Sequence, residues 1–154
     1  MYSIPDSGVF LNFKTHLGDD KIQKQISNIY KVANTEESTP LTECNQFHKG
    51  EEWKCLFIEN SYQFIKGKFM VVNSEYDAWS VFNILGENCL KLGLSGYTLS
   101  HCNKTQMTQI EKYRSFYRDM MAKFLVLNNQ LSLWSIACSN HVYACLTLFY
   151  DSPL

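Results

Sequence analysis

Two residues in this chain have the types and settings for proton-transfer chemistry. Asp77 lies in V-V-N-S-E-Y-D-A-W at 71–79 and His141 in A-C-S-N-H-V-Y at 137–143. Each stands just past an apolar, strand-like run. A histidine titrates near working pH, so it can take and return a proton. A carboxylate beside it fixes the imidazole tautomer and stabilises the imidazolium that forms. An Asp and then a His, each on the loop after a strand, is the second half of the chain order Ser…Asp…His. Read without chemistry, the same two residues are a helix N-cap and a loop histidine.

No nucleophile accompanies them. Gly93-Leu94-Ser95-Gly96-Tyr97 approaches G-x-S-x-G, but Tyr97 stands where the second glycine is required. The segment also follows the Asp-bearing strand in a glycine-rich loop, so it reads as loop. Cys138-x2-His141-x3-Cys145 and Cys44…His48…Cys55 have ligand-like spacings. Neither supplies a C-x2-C anchor or four ligands, so no metal is expected, and no cofactor either. Disulfides account better for the six cysteines, with the sequence neighbours Cys44–Cys55, Cys89–Cys102 and Cys138–Cys145 as the expected pairs. His16, His48 and His101 sit in polar surroundings and call for no function. Asn103-Lys104-Thr105 is the single N-glycosylation sequon.

The elements that must hold Asp77 and His141 follow from periodicity. Lys68 to Asn73 is short, apolar at its centre and β-branched at Val71 and Val72, as a buried parallel strand should be. A helix is expected over 76–85, beginning at or just after Asp77. Leu131 to Ala137 alternates and reads as the last strand. Between them, 86–101 reads as loop. Ile110, Tyr113, Phe116, Tyr117, Met120, Met121 and Phe124 mark a helix over 105–127. Strand, acidic loop, helices, strand and His loop make a βαβ crossover. Ligands in such sheets bind beyond the carboxyl ends of the strands, where both residues stand. Upstream, Gly8 to Phe13 reads as a short strand or extended stretch. A helix capped by Asp19 or Asp20 follows over 20–33. Then come a long loop over 34–54 and a short helix over 57–64. A short amphipathic segment over 142–150 closes the chain.

At 154 residues, with 45% hydrophobic and 19% charged residues, the chain is long enough to bury a core. A net charge of −1 gives no reason to expect nucleic acid as a partner. No apolar run is long enough for a membrane span. The cysteines and the sequon suggest an oxidising, secretory compartment. Met1-Tyr2-Ser3-Ile4-Pro5-Asp6 has no basic or apolar leader character, so no signal peptide is read here. N-terminal truncation of a secreted protein is the expectation that reconciles the two.

Four stretches in order carry a resemblance: D-S-G-V-F-L-N at 6–12, F-M-V-V-N-S-E-Y-D-A-W at 69–79, the loop from Cys89 to Cys102, and C-S-N-H at 138–141. With them the chain resembles the pectin acetylesterase family, which includes the Notum-type carboxylesterases of animals. The likeness spans the chain but only the C-terminal part of a family member. It implies an α/β-hydrolase-like parallel sheet, here a C-terminal half with the sheet incomplete, so that residues 1–154 form a single partial domain. It implies a carboxylic ester hydrolase removing O-acyl groups, with acylated polysaccharide or another acyl ester as substrate. Asp77 matches the family's triad Asp and His141 its triad His. Asp6-Ser7-Gly8 matches a segment lining the site, which implies a pocket or structural role for Asp6. The nucleophile Ser and most oxyanion donors lie upstream in the family, so the chain alone is expected to be inactive and the missing N-terminal half is an expected partner. Plant members carry a Cys directly after the His. Val142 stands there, so Cys138 pairs either with Cys145 or with a residue beyond Leu154. The alternative is a non-catalytic pseudoenzyme, a carbohydrate- or protein-binding relative.

Overall fold

A computed structural model describes residues 2–33, 35, 41–93 and 96–142. Three strands form a parallel sheet: β1 (Tyr2–Ser3), β2 (Lys68–Ser74) and β5 (Leu131–Ile136), with β2 between the other two. β2 is buried at nearly every position past Met70, which is why its sequence is a continuous apolar run rather than an alternating one. It pairs with β5 from Phe69↔Leu131 through Ser74↔Ile136, so both strands end level. The Glu75 N–H continues the ladder to the Ile136 carbonyl.

The crossover between β2 and β5 carries a short helix α4 (Ala78–Asn83), an antiparallel hairpin of β3 (Lys91–Gly93) and β4 (Gly96–Thr98), and the long helix α5 (Lys104–Leu127). α5 starts at a capping box. The Asn103 side chain accepts from the Gln106 N–H, and the Gln106 side chain accepts from the Asn103 N–H. Its inward stripe, Ile110, Tyr113, Tyr117, Met121 and Phe124, is fully buried. Phe124 stacks on Tyr62 with ring centroids 4.0 Å apart. Burial of each such aromatic contributes roughly 1.5–3 kcal/mol. Residues 86–101, expected as loop, hold the hairpin as well.

Before β2 the chain runs through α1 (Lys21–Val32), α2 (Thr42–Phe47), a 3-10 turn over Glu52–Leu56, α3 (Ile58–Ser61) and a 3-10 turn over Tyr62–Phe64. Asp20 is the N-cap residue of α1, while the Asp19 carboxylate takes the Lys21 N–H. One expectation is corrected here. The 34–54 loop contains α2 and the start of a 3-10 turn, stapled by the Cys44–Cys55 disulfide. Of the two expectations for Gly8 to Phe13, a strand or an extended stretch, the strand is not formed. The segment's backbone bonds go elsewhere, the Phe10 carbonyl to the Ile58 N–H and the Asn12 N–H to the Glu59 carboxylate. The edge of the sheet belongs to Tyr2–Ser3 and to a bridge between Asp6 and Val72. Val9 and Leu11 nonetheless point into the core.

Candidate active site

Asp77 and His141 meet at the carboxyl ends of β2 and β5. Asp77 is almost fully buried, and the Nδ1 of His141 lies 2.7 Å from its Oδ1. A carboxylate oxygen only accepts, so the ring donates from Nδ1 and Nε2 is left to exchange protons. The second oxygen, Oδ2, accepts the Ser80 N–H at 2.8 Å and caps α4. Tyr113, buried on α5, hydrogen-bonds the Ser80 side chain, so the first turn of α4 is tied to the core as well.

The Asp77 loop is fastened to α5 by charge. Arg114 donates from Nε to Glu75 at 2.6 Å and from Nη1 to Glu111 at 3.3 Å. The Tyr76 hydroxyl donates to Glu111 at 2.7 Å, and the guanidinium lies over the Tyr76 ring. The Arg114–Glu75 bond, charge-assisted and partly shielded from water, holds geometry better than an exposed pair does.

The His141 side chain is 28% exposed, against 4% for Asp77. The hydrogen bond it donates to Asp77 raises the imidazole pKa above its ordinary value. Burial opposes that, and the charges of Asp77 and Asp6 reinforce it. Trp79 lies nearly parallel to the imidazole at 6.2 Å between centroids, and Phe10 packs edge-on against Trp79. The His loop is held on its other side. Ser74 hydrogen-bonds the Cys138 carbonyl and Ser139 the Tyr97 carbonyl. Asn140 packs so closely on Gly96 that a Cβ there would stand 1.9 Å from its Oδ1. Between Tyr76, Tyr97, Leu99 and the loop over 137–140 opens a cleft of roughly 370 Å3.

Asp6 stands near enough for its charge to act on His141, and its neighbour Ser7 touches the His loop directly, accepting the Val142 N–H at 2.7 Å. Neither Trp79 nor Ser7 was singled out in the sequence. The place of Trp79, two residues past Asp77, was the available signal for the first. His16 and His48 have other partners: the His16 ring faces the Leu85 carbonyl and Glu87, and His48 packs on Phe47, while His101 is exposed.

Cys44–Cys55 and Cys89–Cys102 are disulfides, so none of the four can ligate a metal. Among the described residues no three His, Cys, Asp or Glu side chains converge on a metal site. No helix among them is long and apolar enough to cross a membrane. Cys145, Ser95 and the 143–150 part of the closing segment lie outside the described residues.

Comparison with known proteins agrees with this architecture. The chain is 24% identical over 142 residues to pectin acetylesterase 4 of Arabidopsis thaliana, covering 90% of this chain and 34% of that protein. Two crystal forms of the Wnt deacylase Notum from Drosophila superpose with TM-scores of 0.64 and 0.65 at 16% and 15% identity. They cover 90% and 92% of this chain and 34% and 36% of theirs, a likeness of fold. The chain thus spans about a third of the length of these relatives. The pectinacetylesterase family model matches residues 1–152, and the chain belongs to that family.

Proposed function

We propose that this chain supplies the acid–base pair of a carboxylic ester hydrolase that removes O-acyl groups by a Ser-His-Asp mechanism. The observation that carries the reading is the 2.7 Å bond between Asp77 Oδ1 and His141 Nδ1 at the ends of two parallel strands, in a chain of esterase family. Asp77 holds the imidazole with Nε2 free to act. Nε2 takes the proton of a serine hydroxyl as its oxygen attacks the acyl carbon, then returns that proton to the departing alcohol. Water repeats the sequence against the acyl-serine, releasing the acid. The nucleophile and the oxyanion donors belong to residues outside these 154. Residues 1–154 are, on this reading, part of one larger catalytic domain.

Acetylated polysaccharide is the substrate class that the family name favours. The two disulfides favour folding in the secretory pathway. The test is hydrolysis of an aryl acetate and of acetylated pectin. The 154-residue chain should be inactive, and the full-length enzyme carrying it should lose activity with His141→Ala. Hydrolysis by the 154-residue chain, abolished by His141→Ala, would overturn the division of labour. Full activity of the His141→Ala enzyme would overturn the mechanism.

A further inference from the structure

Ser7 is buried, holds a left-handed backbone at φ 54, and lies far in sequence from Val72 and Val142, which it fastens. Its N–H donates to the Val72 carbonyl at 2.7 Å, pinning it to the central strand beside the Asp6–Val72 bridge. Its hydroxyl makes two further bonds. It donates to Asp6 Oδ1 at 3.2 Å and accepts the Val142 N–H at 2.7 Å, across 135 residues of sequence. A serine hydroxyl has one proton and two acceptor sites, so the carboxylate orients the proton and leaves a lone pair facing Val142.

Val142 is itself left-handed, at φ 64. A β-branched residue avoids that region, and it persists there only when its surroundings over-determine it. The backbone turn that follows His141 is therefore held against its own preference. The partner fixed to its N–H is Ser7 Oγ, and Ser7 also holds a positive φ to present it. Two strained residues joined by one hydrogen bond, directly after the imidazole, form a clasp between the β1–β2 edge and the His loop.

We propose that Ser7 is a positioning residue for His141: its hydroxyl clamps Val142 N–H and so holds the imidazole against Asp77. Asp6 orients the Ser7 hydroxyl and adds negative charge near the ring. The role rests on the esterase reading for its catalytic meaning but not for its existence.

The test is histidine-selective NMR on the full chain, whose four histidines are assigned with His141→Gln. Ser7→Ala removes the hydroxyl. Ser7→Gly removes it while favouring the positive φ, so backbone strain is relieved and the fold retained. Both variants should speed exchange of the His141 Nδ1 proton about tenfold or more and bring the His141 titration midpoint down toward that of a free imidazole near 6.5. An unchanged Nδ1 signal and titration in both variants overturns the proposal. So does loss in Ser7→Ala with full retention in Ser7→Gly, which would assign the effect to strain rather than to the hydroxyl. A readout that needs no substitution stands beside these. The Val142 amide should be strongly protected from hydrogen exchange, and rapid exchange there overturns the clasp even if a variant fails to fold. Failure of the esterase reading is separate: it appears as full activity in the His141→Ala enzyme and leaves Val142 protection untouched.

Discussion

Asp77 divides one carboxylate between His141 and its own helix: Oδ1 receives the imidazole proton at 2.7 Å while Oδ2 receives the Ser80 N–H at 2.8 Å. Helix cap and imidazole partner are thus one residue in one rotamer. The cap limits side-chain rotation, so the oxygen facing His141 is fixed before any substrate arrives.

The two duties separate by mutation. Asn caps helices as well as Asp does, so Asp77→Asn should keep the native melting temperature at alkaline pH, where the His141 contribution is lost, and fall below it at acid pH. It cannot hold the same imidazole tautomer, and kcat of the full-length enzyme should fall by about 10^3–10^4-fold. Asp77→Ala should lose that activity and roughly 1 kcal/mol of stability with the cap. Thermal denaturation beside steady-state kinetics checks both.

The raised pKa of His141 sets a pH profile. Its main cause is the bond to Asp77, with burial opposing and the Asp6 and Asp77 charges adding. In the proposed mechanism the base form takes the serine proton, so kcat/KM should rise with pH along a limb above the ordinary imidazole value of about 6.5. Asp77→Asn should move that limb down. For stability the sign is opposite. A pKa raised on folding gives a contribution that is complete below about pH 6.5 and lost as pH climbs through the folded value. Denaturant titrations of the native chain and His141→Gln, at acid and at alkaline pH, should differ by more at the acid end.

Asn103 can be tested for sugar without losing its cap. Its Oδ1 accepts the Gln106 N–H, and the residue is exposed at the start of α5. Asn103→Asp keeps an acceptor oxygen and destroys the sequon, while Asn103→Ala removes both. Expressed through a secretory pathway, the native chain should carry a glycan that a glycosidase removes. Asn103→Asp should lack it at nearly unchanged stability, and Asn103→Ala should cost about 1 kcal/mol. A native chain of unmodified mass from that host would dismiss the site.

Gly96 holds the hairpin against the His loop at φ +113, with Asn140 where a side chain would go. Gly96→Ala should cost roughly 1–3 kcal/mol of stability through the backbone alone. The His141 resonances should broaden, because Asn140 must move and His141 follows it. Unchanged resonances would mean that the hairpin does not support the loop.

The elements that carry Asp77 and His141 were legible because their signals are local. The apolar run at Val71 and Val72, the alternation from Leu131 and the stripe from Ile110 to Phe124 each declare a period within a few residues. Expected and observed boundaries there differ by about a residue. α2 was illegible because its six residues have no long period, and a disulfide helps to hold them. Gly8 to Phe13 misled because its apolar residues are buried by packing while its backbone bonds to residues around Ile58 and Glu59. Ser7 stood in the D-S-G segment without a role of its own, for a different reason. Its worth lies in a positive φ and a partner at the other end of the chain, and neither leaves a pattern in neighbouring residues.

The parallel pairing of β2 with β5 has a consequence in time. Asp77 and His141 are 64 residues apart, and Ser7 and Val142 are 135 apart. Parallel ladders closed over long intervening segments form slowly, since loop entropy is lost before the contacts that reward it are made. α5 can coil early from its own capping box and stripe, but the imidazole reaches its carboxylate only when the last strand has docked. The pairing of Asp77 with His141 should therefore be among the later contacts to form.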